Sequence, residues 1–326
     1  MVLITGSNSM LGKAIVEKFT GEGEKVKCYD QYKPESIPDG VEFIQGDLFT
    51  SKRISLACEG VDTVIHLMDK ATPKKIGRGK MKKFNIDGTR NLLSVVKRAN
   101  INRFIFLSTY GVYGKTKSFP LKEEHKKKKP YIPYGKDKLK AERACELFAK
   151  RNKMDLTIIR PSLILGPNVK NSSILITLYM TMGLGNDNIM HVSPNGDTRF
   201  QLLSPEDAAN AFYNIYMAKE KTYGKIYNIG SDDVPTQIDE LVKIKEMKKI
   251  DFTIKPISKL KAKLYSILFK PSKINYFSRD HILFIFHNVY LDCDKIKSEI
   301  GWSPQKDNIG IISDVVDWYK DKLNKV

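Results

Sequence analysis

Tyr134 and Lys138 stand four residues apart in the segment Tyr134-Gly135-Lys136-Asp137-Lys138. In a helix that spacing puts both side chains on one face. An ammonium beside a phenol favours the phenolate and lowers its pKa. Such a tyrosine could take a proton from a substrate hydroxyl while hydride leaves the same carbon for a nicotinamide. Tyr29 and Lys33 repeat the spacing, but they fall at a strand end where no helix aligns them. Thr109 closes the strand that precedes the Tyr134 helix, and there it can face the same substrate oxygen. A surface tyrosine on a lysine-rich helix is the alternative that the spacing leaves open.

A second signature is Thr5-Gly6-Ser7-Asn8-Ser9-Met10-Leu11-Gly12, between a strand and a helix. Gly6 and Gly12 let the backbone turn tightly and approach a pyrophosphate. The helix opening at Ser9, Met10 and Leu11 then offers unpaired N–H groups and a positive dipole end. Taken alone, this is also an ordinary strand-to-helix turn, because the middle glycine is replaced by Ser9. Asp30 ends the second strand, where an acid accepts hydrogen bonds from ribose hydroxyls. A carboxylate there repels a 2′-phosphate, which favours NAD over NADP, although Lys27 and Lys33 act against that preference. Asp47, after the third strand, is placed near an adenine.

The elements that must position these residues alternate along the chain. Val2–Ile4, Lys25–Tyr29, Val41–Ile44, Asp62–His66, Arg103–Leu107 and Leu156–Ile159 read as strands. Met10–Phe19, Asn85–Ala99 and Tyr134–Lys150 carry helical apolar spacing between them. That rhythm implies an α/β fold with a doubly wound parallel sheet of Rossmann type, whose ligands bind at the carboxyl ends of the strands. Further on, Phe200–Leu203 and Lys225–Ile229 read as strands around a helix, Pro205–Ala218. Residues 1–165 and 200–235 are expected to form the dinucleotide-binding domain. Residues 166–199 and 236–326 are expected to form a smaller, C-terminal substrate lobe. The lysine runs Lys74-Lys75, Lys80 to Lys83 and Lys126 to Lys129 read as exposed loops.

Composition narrows the class. The chain has 326 residues and a formal net charge of +18, with the lysines spread rather than blocked. That describes a solvated basic surface able to steer an anionic substrate. No base-reading motif accompanies the charge, so nucleic acid is not an expected partner. Cys28, Cys58, Cys145 and Cys293 are scattered, without metal-ligand or disulfide spacing. No metal is expected, and the compartment reads as reducing and cytoplasmic. The first residues carry no secretory signal, and no apolar run reaches the ~18 residues of a membrane span.

Together these motifs resemble the extended short-chain dehydrogenase/reductases, the NAD-dependent epimerase/dehydratase family, over nearly the whole chain. The landmarks fall in order: Thr5-Gly6…Gly12, Asp30, Gly46-Asp47-Leu48, Val64-Ile65-His66-Leu67, Asn85 to Leu93, Ser108-Thr109…Tyr113-Gly114, Tyr134…Lys138, Arg160-Pro161…Gly166-Pro167, Tyr227 to Gly230 and Gly301 to Pro304. The resemblance implies that Tyr134 is the general acid/base and that Thr109 orients the substrate oxygen. Lys138 would hold the nicotinamide ribose. Leu48, Leu67, Asn85 and Pro161 would join Asp47 along the cofactor, and Tyr110 and Arg199 would meet substrate. It also implies a homodimer.

Departures bear on the substrate. Met68-Asp69 replaces a pair of small residues beside the cofactor, and an inward carboxylate there would weaken dinucleotide binding. Leu163 and Leu165 replace polar residues of the sugar-nucleotide branch, and Arg199 is one residue off that branch's spacing. A nucleotide sugar is nonetheless the leading substrate class. The rival is an apolar alcohol or ketone, as in 3β-hydroxysteroid and flavanonol reductases. Its basis is the basic, apolar stretch from Lys259 to Phe269 and the run His281–Phe286, which could also touch an anionic membrane surface. A non-catalytic dinucleotide-sensing regulator is the third possibility, against which the Thr109, Tyr134 and Lys138 set argues.

Overall fold

The computed structural model describes residues 1–71, 77–126, 129–167, 189–268 and 285–323. Its contacts divide the chain into two compact units. One comprises Met1–Ser162, Pro205–Ile229 and Leu291–Ser303, and the other Leu163–Ser204, Gly230–Tyr290 and Pro304–Val326.

The first unit opens with β1 (Val2–Thr5), α1 (Met10–Gly21), β2 (Val26–Asp30) and β3 (Glu42–Gln45). After α2 (Ser51–Ala57) and β4 (Thr63–His66) come α3 (Arg78–Lys83), a π-helical turn (Phe84–Gly88) and α4 (Thr89–Arg98). β5 (Arg103–Leu107) leads through a 3₁₀ turn (Tyr110–Val112) to α5 (Pro133–Asn152) and β6 (Asp155–Pro161). Every residue of β1, β4 and β5 is buried. That is the pattern of strands covered on both faces. They assemble in the order β3-β2-β1-β4-β5-β6, and the later strand β10 (Ile226–Ile229) is added beside β6, all parallel. The order reverses between β1 and β4, which opens a crevice at their carboxyl ends.

The lysine run Lys80–Lys83 is helical rather than a loop. Met81 within it is fully buried and anchors α3 to the core. Lys74 and Lys75 lie outside the described residues. The helix expected from Asn85 starts as the π-helical turn, whose Gly88 sits against Leu48: a Cβ there would stand 2.8 Å from the leucine Cβ. α2 buries only Ile54 and Ala57, too sparse a pattern to read from sequence.

In the second unit, β7 (Leu163–Ile164) pairs in parallel with β9 (Leu202–Leu203). β8 (Ile189–Val192) pairs with β11 (Thr253–Pro256). Of the expected strand Phe200–Leu203 only the last two residues join a ladder. The Gln201 amide bonds Ser231 O at 2.6 Å, and the Leu202 N–H is taken by Asn308 at 2.8 Å. The core here gathers Leu165, Met190, Val192, Ile244, Phe252 and Ile312. Helix Lys259–Leu268 buries Ala262 and exposes Leu260 and Leu264. Phe269 and residues His281–Phe284 of the apolar runs lie outside the described residues. Among the described residues no helix is long and apolar enough to cross a membrane.

A buried ion pair fixes α5 on the sheet of the first unit. Arg160, on β6, donates through Nε and Nη2 to both oxygens of Glu142, at 2.9 and 3.0 Å. Both residues are fully buried. Ser108 donates to the same carboxylate. Tyr113 accepts from Arg160 at 3.0 Å and donates to Asn228 at 2.7 Å. Removing one member strands the other charge in a dry interior. Glu142→Gln should therefore cost about 3–5 kcal/mol in urea unfolding. A variant that replaces Glu142 and Arg160 together by apolar residues should recover part of that loss. A loss in the double variant equal to the sum of the two single-variant losses would show that the pair is not coupled.

Candidate active site

Gly6 and Gly12 build the first wall. Gly6 has φ +79°, and a Cβ on it would stand 2.7 Å from Met68 N and 2.8 Å from Met68 Cα. A Cβ on Gly12 would overlap Gly6 O. The β1–α1 loop can therefore fold flat against the end of β4 only with glycine at both positions. Ser9, at the middle position, is the N-cap of α1. Its hydroxyl accepts from Gly12 N at 3.0 Å and donates to Gly6 O at 2.8 Å. The serine thus ties the loop to the helix, while the first-turn N–H groups of Met10 and Leu11 have no acceptor within the helix. This loop fits a dinucleotide phosphate, since a close-packed backbone and a helix N-terminus are what that group needs.

Asp30 lies at the end of β2, beside the same loop. Its two oxygens accept from Asn8 N at 3.0 Å and Gln31 N at 2.6 Å. A carboxylate has about four acceptor positions, so two such bonds leave room for ribose hydroxyls. Asp47 is differently engaged. One of its oxygens accepts from Phe49 N, Thr50 N and Thr50 Oγ1 at 2.8–2.9 Å. Partial burial works against its ionisation, but these bonds outweigh it and hold the carboxyl below the usual range. Leu48 is fully buried, and Asn91 binds its carbonyl at 2.8 Å. Leu67 is buried at the Gly6 contact, with its N–H on Thr5 O at 3.0 Å. Pro161 closes β6 in register with Ile229.

The Tyr134–Lys138 pair sits on α5. Tyr134, Lys138 and Glu142 follow at intervals of four, so the Glu142–Arg160 pair turns all three toward the sheet. Tyr134 Oη donates to Asp69 Oδ2 at 2.6 Å, and Lys138 Nζ stands 3.0 Å from the same oxygen. The ammonium lies 4.6 Å over the Phe106 ring and 5.9 Å from the Tyr134 ring centre. Asp69 follows Met68, against which Gly6 packs, so one residue separates the glycine loop from the tyrosine. Thr109 is buried and caps the 3₁₀ turn, its Oγ1 accepting from Gly111 N at 3.2 Å. Gly135, next to Tyr134, admits that turn: a Cβ on it would be 2.6 Å from Gly111 O. Tyr110 opens the same turn.

The structure reverses one electrostatic expectation. The enclosed hydroxyl of Tyr134, then the charge and hydrogen bond of Asp69, then Tyr110 hold the phenol well above its usual range. Lys138 does not pull it down, because the ammonium is paired with Asp69.

Asn85 also clamps the segment after β4. Its amide accepts from Lys70 N at 2.8 Å and donates to Lys70 O at 2.9 Å. Behind it runs a chain that sequence reasoning missed. Thr89 Oγ1 donates to Asn85 O at 2.8 Å, so it accepts from His66 Nε2 at 3.1 Å. His66 Nδ1 then accepts from Thr5 Oγ1 at 2.7 Å. His66 is fully buried, and that burial, with Lys138 nearby, pushes it down to about 3. Its signal in sequence was only a polar residue ending an apolar strand.

Arg199 belongs to the second unit. Its N–H is held by Asn288 at 2.7 Å, and its guanidinium donates to Val234 O. Of the two leucines that replace polar residues of the sugar-nucleotide branch, Leu165 is fully buried in that unit's core, while Leu163 keeps partial exposure.

This geometry defines a Rossmann-type α/β fold with a Tyr–Lys pair beside its first glycine loop. A model of the NAD dependent epimerase/dehydratase family matches residues 2–230, and the chain belongs to that family. It is 28% identical over 193 residues to a UDP-glucose 4-epimerase of Vibrio cholerae, covering 56% of this chain and 57% of that protein. It is 30% identical over 171 residues to sterol demethylase protein B of Methylococcus capsulatus, covering 51% and 52%. The matched stretch thus spans about half of each relative. A UDP-glucose 4-epimerase of Thermotoga maritima, solved with UDP-glucose, superposes with a TM-score of 0.76 at 23% identity over 99% of both chains, a likeness of fold.

Two outcomes test the assignments. Asp30→Ala should narrow the NAD-over-NADP affinity ratio roughly tenfold, about 1.4 kcal/mol, in titrations with both dinucleotides; an unchanged ratio would remove the ribose contact. The unfolded chain protonates a histidine near 6.5, far above the folded value of about 3. Stability owed to neutral His66 is therefore complete above that upper value and falls as the pH drops toward the lower one. His66→Gln should flatten this acid limb by on the order of a few kcal/mol; an identical limb in both proteins would rule His66 out as its cause.

Proposed function

We propose that this chain is an NAD-dependent enzyme acting on a nucleotide sugar, with Tyr134 as the proton-exchanging group. The observation that carries the reading is the one-residue step from the glycine loop to the Tyr134–Lys138 pair. Gly6 packs on Met68, and Asp69 meets both side chains. In this reading Gly6, Ser9, Met10, Leu11 and Gly12 hold the pyrophosphate and Asp30 takes the adenosine ribose. Bound NAD supplies a ring that accepts or returns hydride. Tyr134 exchanges a proton with the substrate oxygen, and Thr109 holds that oxygen from the facing turn. Lys138, buried among Phe106 and Tyr134, offers its ammonium to the nicotinamide ribose.

The substrate class draws support from the Vibrio cholerae relative, named a UDP-glucose 4-epimerase, and from the basic charge of +18. A strongly positive surface raises the local concentration of a diphosphate. Arg199 is the proposed anion contact of the second unit, and a homodimer belongs to the same proposal.

Tyr134→Phe should keep dinucleotide affinity and lose turnover of UDP-glucose by about a hundredfold or more. Equal turnover by the variant would remove the mechanism. In thermal melts UDP-glucose should stabilise the NAD-loaded protein. Stabilisation by a sterol, with none by UDP-glucose, would instead assign an apolar substrate.

A further inference from the structure

Asp69 is held from both sides. Before it, Met68 N reaches Thr5 Oγ1 at 3.5 Å and its backbone abuts Gly6. After it, Lys70 is bonded at both N–H and C=O by the buried Asn85 side chain. Asn85 is itself tied through Thr89 and His66 to Thr5. Two neighbours fixed by hydrogen bonds leave the Asp69 side chain little choice of direction. Its Oδ2 takes both the Tyr134 hydroxyl and the Lys138 ammonium, and the carboxylate keeps 18% exposure. A bond of 2.6 Å from O–H to a carboxylate is a short, charge-assisted one.

We propose that Asp69 is a positioning residue of the proton-transfer site: it holds Tyr134 as a neutral proton donor and is the counter-ion of Lys138. The proposal deepens the functional reading given above and rests on Tyr134 being the group that exchanges the proton.

The electrostatics follow from what faces the phenol. From the segment after β4 comes the Asp69 carboxylate. From α5 comes Lys138, which Asp69 neutralises. From the 3₁₀ turn comes Tyr110, a second phenol. His66, on β4 near Lys138, is neutral. A phenolate would therefore stand against a carboxylate within hydrogen-bond distance, with the Lys138 ammonium already engaged by that carboxylate. The neutral phenol is favoured instead, and the ammonium that would stabilise a phenolate is released only when Asp69 is neutralised or drawn away. Removing the carboxylate charge frees Lys138 to act on Tyr134 as the bare Tyr–Lys spacing implies.

The test is a pH titration of isotope-labelled tyrosine by NMR on the full chain, without dinucleotide, with Tyr134→Phe to assign the Tyr134 signal. Asp69→Asn, which keeps the size and an acceptor but loses the charge, should lower the Tyr134 midpoint by about one pH unit or more. Asp69→Ala should do the same. A role in folding alone would lower the melting temperature and leave that midpoint in place. An unmoved Tyr134 midpoint in Asp69→Asn, with the melting temperature retained, overturns the proposal. So does a midpoint that rises. In turnover, the alkaline-rising limb of carbinol oxidation should move toward neutral pH in Asp69→Asn. The two readings fail separately. Full turnover by Tyr134→Phe removes the functional assignment and leaves the titration valid, whereas an unmoved midpoint removes the role of Asp69 and leaves the assignment standing.

Discussion

The inward stripe of α5 is the constraint on which the site depends. Tyr134, Lys138 and Glu142 lie one turn apart, and Glu142 is locked to Arg160 by two bonds in a fully buried setting. A helix pinned at one turn of a face cannot rotate at the turns above it without breaking that pair. Its geometry sets where the phenol and the ammonium point, whatever their own contacts. Arg78 adds a second pin from α3, with two bonds of 2.5 and 2.6 Å to the buried Asp137. Buried pairs of this kind contribute little net stability against an apolar replacement, but they specify one arrangement where apolar packing would tolerate several.

The same logic operates at the sheet's switch point. Thr5 and His66 are register partners on β1 and β4. The imidazole between Thr5 and Thr89 joins the strand end that carries the glycine loop to the helix that carries Asn85. Neutral imidazole is suited to this, because it both donates and accepts and burial holds it uncharged. The polar chain from Thr5 to Lys70 fixes the short segment containing Met68 and Asp69. That segment touches the glycine loop on one side and the Tyr–Lys pair on the other. Two signatures far apart in sequence are thus joined through five residues of hydrogen bonding.

Electrostatics set the working state of the site more than spacing does. A tyrosine and a lysine four residues apart predict a phenol of lowered pKa, and the structure gives the opposite, because burial disfavours the phenolate and Asp69 meets both groups. Asp69 was legible in sequence as a carboxylate where small residues are expected. Its direction was not, since one segment after a strand can turn a side chain either way.

What the sequence determined by itself was local and periodic. The runs Val2–Ile4, Thr63–His66 and Arg103–Leu107 became buried parallel strands because a largely apolar segment has no stable alternative to full coverage. Gly6, Gly12 and the four-residue step from Tyr134 to Lys138 were readable because the backbone itself imposes those needs. Tertiary structure decided the rest. It made Lys80–Lys83 a helix by burying Met81, placed Leu165 in a core, set Asp47 to cap a turn, and turned Asp69 onto Tyr134. Each of these depends on which segments meet across the sheet, and hydrogen bonds between residues 61 to 65 positions apart, such as Thr5–His66 and Asp69–Tyr134, leave no periodic trace in the chain.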